Sequence, residues 1–125
     1  DGKSIVSLVT GKNDKSPQEA YYFYYGQQLQ AIRMGKWKLH FPHGYRTMAG
    51  RPGGTGGIPT KYSQAKIGLS LFNLEEDIGE STDVKAKHPK VVAKMQALGQ
   101  AMRKELGDQG KKGSGQREAG RLAKR

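Results

Sequence analysis

His40 and His43 form an H-x-x-H pair, the chain's nearest approach to a recognisable metal or acid–base motif. Two imidazoles at that spacing could supply two metal ligands. Zinc sites usually need three or four, and no third ligand stands at a matching interval; His88 is isolated. No metal site is therefore assigned. The absence of cysteine removes disulfides, thiolate ligands and a cysteine nucleophile together, and no residue is assigned as catalytic. The net charge of +11 points to anionic partners. It is uneven: residues 1–80 hold 10 basic and 7 acidic residues, whereas residues 81–125 hold 12 and 4.

The elements that must position these groups centre on residues 30–41. Trp37, Leu39 and Phe41 alternate with Lys36, Lys38 and His40, the pattern of an antiparallel strand with one face buried and one wet. Gly35-Lys36 suits a two-residue type II′ turn, where the first residue needs positive φ, so 30–41 reads as a hairpin. Upstream, Ser4 could cap a short helix ended by Gly11, although the Ile and Val content also allows a strand. The aromatic run Tyr21 to Tyr25 suits a pleated strand, with Tyr22 and Tyr24 on one face and Tyr21, Phe23 and Tyr25 on the other. One of those faces must be core. The other suits an interface or, as an alternative, stacked bases.

Pro42 ends the hairpin. Residues 43–66, rich in Gly and Pro, read as one long loop of a kind that is more often functional or disordered than neutral. Ile67 to Leu74 returns to strand character, apolar enough to be covered on both faces, and Glu75 to Glu80 form an acidic turn. Pro89 fits a first helical position. Val91, Met95, Leu98, Met102 and Leu106 then make one apolar stripe that faces a core, and Gly107 is a natural stop. Residues 108–125 have almost no large apolar side chain and are expected to be a disordered basic tail. At 125 residues and 34% hydrophobic composition there is room for one domain. The expected fold is α+β: an antiparallel sheet of three to four strands, one long C-terminal helix packed on it, and a Gly-rich loop. The domain covers residues 1–107 and the tail 108–125. No apolar run is long enough to span a membrane. The chain opens on Asp1 and reads as an excised fragment or processed product of undetermined compartment.

Several segments, in order, resemble the C-terminal region of the formylglycine-dependent, arylsulfatase-like sulfatases of the alkaline phosphatase superfamily. Ala31-Ile32-Arg33-Met34-Gly35-Lys36-Trp37-Lys38-Leu39 is similar to that family's Arg-x-Gly-x-Trp/Tyr-Lys-Leu hairpin. Leu71-Phe72-Asn73-Leu74-Glu75-Glu76-Asp77-Ile78-Gly79-Glu80 matches its Leu-Tyr-Asp-Leu-x-x-Asp-Pro-x-Glu corner, with Ile78 where proline is usual. The helix at His88-Pro89 follows at the expected distance, and Asp1 to Gly11 resembles the lead-in after the catalytic domain. Asp77 and Gly79 suit a turn, and Asp83 is an acceptor able to hold the chain ahead of the helix.

The resemblance implies a non-catalytic domain whose parent hydrolyses sulfate esters. The parent would use calcium and a formylglycine, both in an N-terminal catalytic domain of the same polypeptide. Neither the Cys/Ser-x-Pro-x-Arg motif nor any cysteine is present here, so this chain alone is expected to be inactive. It implies two partners: that catalytic domain, and a sulfated substrate such as a polysaccharide. An exported or periplasmic parent would fit. The domain would stabilise the catalytic domain and lend a loop to the rim of the substrate pocket, with His43, Tyr45 and Arg46 as candidates. Arg offers a planar fork for sulfate or carboxylate, Tyr a face for a sugar ring, and His a donor near neutral pH. In the tail, Lys111, Lys112, Arg117, Arg121, Lys124 and Arg125 could attract a polyanion, an attraction weakened by salt. The competing expectation is a stand-alone basic α+β module that binds nucleic acid or anionic glycan.

Overall fold

A computed structural model describes residues 3–118 and 120. The central hairpin forms as its alternation predicts. β2 (Gln28–Met34) and β3 (Trp37–His40) pair with Met34 opposite Trp37, and Gly35 turns the chain at φ 56°. β1 (Tyr21–Tyr25) pairs with the other edge of β2, and β6 (Ser70–Asn73) with the other edge of β3. The result is a fully antiparallel sheet of order β1-β2-β3-β6. Before it, α1 (Val6–Val9) is a single turn closed by Gly11 at φ 68°.

The second antiparallel pair, β4 (His43–Thr47) with β5 (Ser63–Ile67), lies between β3 and β6 in the chain. The stretch 43–66, expected as one irregular loop, is thus a hairpin with a shorter loop, 48–62, at its tip. Its strands carry few apolar residues and no short turn joins them, so alternation left no mark. The loop itself is folded in tight turns. Ala49 and Gly50 have positive φ, Ile58 N–H donates to Thr55 O, and a Cβ on Gly54 would stand 1.7 Å from Ile58 O.

α2 (Pro89–Leu106) covers one face of the sheet. Leu29, Ile32, Leu39, Leu71 and Met95 are fully buried between them, with Val91, Val92, Leu98 and Met102 packed around. Both Leu29 and Ile32 reach the core because the β1–β2 register slips at Gln30, a bulge that resets the alternation. The stripe expected on the helix holds apart from Leu106, which is exposed at the last turn, while Val92 joins the contact. Gly99, which costs a helix about 1 kcal/mol relative to Ala, allows close approach: a Cβ there would stand 2.5 Å from Phe41 Cζ.

β6 is buried on both faces, as its apolar run predicts. Its free edge is closed by the corner that follows. Asp83 Oδ1 accepts from Leu71 N and Lys85 N, and Val84 N donates to Leu71 O. Burial pushes the Asp83 carboxyl up, but Lys85 and the two backbone donors outweigh it and hold the pKa at about 2. Asp77 accepts from Ser81 N and Thr82 N, which lower its pKa.

Residues 108–116 are not a disordered tail. β7 (Gly107–Asp108) and β8 (Lys111–Lys112) form a small hairpin fastened to the β1–β2 turn. Asp108 Oδ1 accepts from Leu29 N at 3.0 Å and its Oδ2 pairs with Arg103 at 2.6 Å; Gln109 N donates to Gln27 O. Composition misses this because one shielded carboxylate and backbone contacts hold the segment, with little apolar burial. Among the described residues no helix is long and apolar enough to cross a membrane.

Candidate functional site

The sheet face opposite α2 carries the groups with chemical potential. From β1, Tyr21, Phe23 and Tyr25 point outward and are 66%, 37% and 69% exposed, while Tyr22 and Tyr24 pack toward the core. The expected division of the aromatic run into a core face and a bare face is therefore present. The same outer face presents Arg33, Lys38 and His40.

Lys38 and His40 are not in water, contrary to the alternation. Glu80, held at φ 55° in the corner after β6, reaches across the outer face to both. Lys38 Nζ is 2.5 Å from Glu80 Oε1, and His40 Nε2 is 2.7 Å from Glu80 Oε2. Burial lowers the His40 pKa, so the ring is neutral at neutral pH and donates Nε2–H to the carboxylate. Burial alone would raise Glu80, but Lys38 and His40 more than offset it and keep the group ionised. His40 Nδ1 is buried with no partner among the described residues.

His43 lies against this cluster. Its ring stacks on His40 at 5.4 Å and 19°, and its Nδ1–H donates to Phe41 O at 2.7 Å. Tyr45 follows on the same side of β4, edge-on to His43 and 44% exposed. Arg46 and Gln64 pair across the β4–β5 hairpin. These strands and the edge of β1–β2 enclose an open cleft of about 450 Å³ lined by Tyr25, Gln30, Gly44, Tyr45, Arg46 and Gln64.

Of the candidates from sequence, Tyr45 and Arg46 meet at the cleft, while His43 supports it from behind. Lys111 and Lys112 line a separate concavity of about 420 Å³ with Tyr24, Gln27 and Asp108, and Lys112 pairs with Glu118. Arg117 is exposed; Arg121, Lys124 and Arg125 lie outside the described residues. Sequence reasoning passed over Gln30 and Gln64, placed Tyr25 only on an interface or base-stacking face, and gave Glu80 only a structural place in the acidic corner. One available signal was charge: no Asp or Glu occurs between Glu19 and Glu75, although Arg33, Lys36, Lys38, Arg46, Arg51, Lys61 and Lys66 do.

No group of three His, Cys, Asp or Glu side chains converges to hold a metal among the described residues. The chain has no cysteine that could become a formylglycine. No curated protein matches the chain. The family described as the C-terminal region of aryl-sulfatase matches residues 16–119, through both hairpins, the corner, α2 and the β7–β8 hairpin. With well over half of its 125 residues in that match, the chain belongs to the family of aryl-sulfatase C-terminal regions.

Proposed function

We propose that this chain is the non-catalytic C-terminal domain of a sulfate-ester hydrolase. It stabilises an N-terminal catalytic domain of the same polypeptide and carries the β4–β5 hairpin and its 48–62 loop to the rim of the substrate pocket. Calcium and formylglycine belong to that catalytic domain, and the substrate is a sulfated molecule such as a polysaccharide.

The observation that carries this reading is the bare aromatic face of the sheet. A small antiparallel sheet can leave one face to water, but that face is then normally polar. Here Tyr21, Phe23 and Tyr25 stand there exposed beside the shielded Lys38–Glu80–His40 cluster. Exposed apolar clusters rimmed by polar groups mark interaction surfaces. Family membership supports a catalytic domain as the occupant. The β4–β5 hairpin borders the same face, so a domain seated there would have the cleft at its seam.

Serine at Tyr21 and Phe23 in the intact polypeptide tests the stabilising role. The thermal midpoint for loss of sulfatase activity is expected to fall by several degrees, since buried aromatic area is lost from the contact. An unchanged midpoint, or turnover of an aryl sulfate by the 125-residue chain alone, would contradict the reading.

A further inference from the structure

The cleft between the β1–β2 edge and the β4–β5 hairpin brings two aromatic rings, a guanidinium and two side-chain amides together. Tyr25 and Tyr45 flank it with exposed rings. Arg46 forms no ion pair or side-chain hydrogen bond with any described residue, and neither do the Gln64 amide and the two tyrosine hydroxyls. Gln30, the bulged residue without a partner on β1, adds a second amide; its Nε2 donates to Gln28 Oε1 at 3.1 Å, which leaves its own Oε1 to accept. Gly44 keeps the floor open: a Cβ there would meet only Ala65 O, at 3.7 Å.

The local charge is one-sided. Register places Lys66 opposite Gly44, next to Arg46; no Asp or Glu lines the cleft, and Glu80, the carboxylate on the neighbouring sheet face, is already engaged by Lys38 and His40. A concave surface lined by a cation and no carboxylate concentrates anions. A guanidinium with its fork unspent recognises a planar or tetrahedral oxyanion through paired hydrogen bonds. Flat rings with free hydroxyls suit a ligand having both an apolar ring face and hydroxyl groups. The volume, about 450 Å³, falls within the range of about 300–1,000 Å³ common for small-molecule sites.

We propose that this cleft is a subsite for an acidic sugar residue, a pyranose bearing a sulfate or a carboxylate, in the part of the substrate beyond the scissile ester. Arg46 binds the anion, Tyr25 and Tyr45 flank the ring, and Gln30 and Gln64 reach its hydroxyls. The subsite rests on the reading of this chain as the part of a sulfatase that borders the substrate pocket.

The test uses the intact polypeptide with two substrates, a small aryl sulfate and a sulfated oligosaccharide containing uronate. Arg46→Gln and Tyr45→Ala should each lower kcat/KM on the oligosaccharide by about tenfold or more, mainly through KM, and leave the aryl sulfate within about twofold. Gly44→Val, which fills the floor, should act in the same direction. Lys87→Gln, which removes a cation from the short helical turn before α2, should change neither substrate. Thermal melts of every variant separate loss of the subsite from loss of fold.

Binding arms identify the anion. Oligosaccharides bearing only sulfate, only uronate, or neither are titrated by calorimetry, and the neutral one should bind about tenfold or more weakly. Equal binding of all three overturns the proposal. So does a loss of activity in the cleft variants that is the same on both substrates, or no loss on the oligosaccharide. A single-stranded RNA that binds more tightly than the sugars, and loses binding on Arg46→Gln, overturns it in favour of nucleic acid. Replacing loop 48–62 by a short Gly-Ser linker separates the two layers of the reading. If that replacement slows the oligosaccharide while the cleft variants do not, the rim stands and the subsite fails. If none of the changes affects it, both fail.

Discussion

Glu80 and His40, 40 residues apart in the chain, meet at 2.7 Å on the outer face of the sheet. The same carboxylate takes Lys38 with its other oxygen, so one residue of the corner neutralises two neighbours on β3. The Glu80 side chain is about one quarter exposed, and solvent screens part of the attraction. Glu80→Ala strands a largely shielded ammonium and an imidazole N–H. Allowing for that screening, it should destabilise the chain by about 1–2 kcal/mol. Urea denaturation measures this as a lower midpoint at unchanged slope; an unchanged midpoint would show that the bridge contributes nothing.

The pH dependence follows from the same cluster. Lys38, Glu80, His43 and the ring of Phe72 surround His40, and burial lowers its pKa below the ordinary 6.5. In the window between 6.5 and that lowered value, the unfolded chain binds the proton and the folded chain does not. Stability therefore falls as pH drops through the window. Glu80 and Asp83 are lowered from 4.5 and 3.8, so their contributions are complete above those values and are lost only in stronger acid. The melting temperature should decline from pH 7 to pH 5.5, and His40→Gln should flatten the decline. A wild-type curve that is already flat would contradict the assignment.

Gly99 separates helix propensity from packing. Alanine is favoured in a helix by about 1 kcal/mol, yet its Cβ would stand 2.5 Å from Phe41 Cζ and 3.3 Å from Ile32 Cδ1. Phe41 is itself buried beneath Arg103, whose guanidinium lies 4.1 Å from the ring centroid. Gly99→Ala should therefore be net destabilising by about 1–3 kcal/mol. Phe41→Leu in the same chain should recover part of the loss, giving a coupling that a double-mutant cycle detects. Stabilisation by the single substitution would mean that α2 does not sit this close to the sheet.

Asp108 gives a prediction that a disordered tail would not. Asp108→Ala removes the acceptor of Leu29 N–H and the partner of Arg103. A cost of about 2 kcal/mol is expected, together with faster amide exchange at Leu29 and Gln109. An unaffected midpoint and unchanged exchange would return residues 108–116 to the status of a loose end.

The parts of the fold readable from sequence were those determined by local period and turn chemistry. Trp37, Leu39 and Phe41 announced the core face of β3, Gly35 the turn, and the stripe from Val91 to Met102 the packed side of α2. What could not be read depended on long-range contacts. Nothing near Lys38 or His40 pointed to a carboxylate from the next corner, so two covered side chains looked wet. The β4–β5 pairing lacked both an apolar alternation and a short turn, and the β7–β8 hairpin lacked apolar residues altogether. At the candidate site, Tyr45 and Arg46 were legible as residue types. Tyr25, Gln30 and Gln64 joined them only because a bulge and a hairpin register bring them to one cleft.

The central claim is that the outer face of the sheet seats a catalytic domain. Hydroxyl-radical footprinting of Tyr21 and Phe23 tests it most directly, by comparing the intact polypeptide with this 125-residue chain alone. Both side chains are exposed here, so the isolated chain should be modified readily, and the intact polypeptide should show strong protection at both. Equal modification in the two would contradict the account.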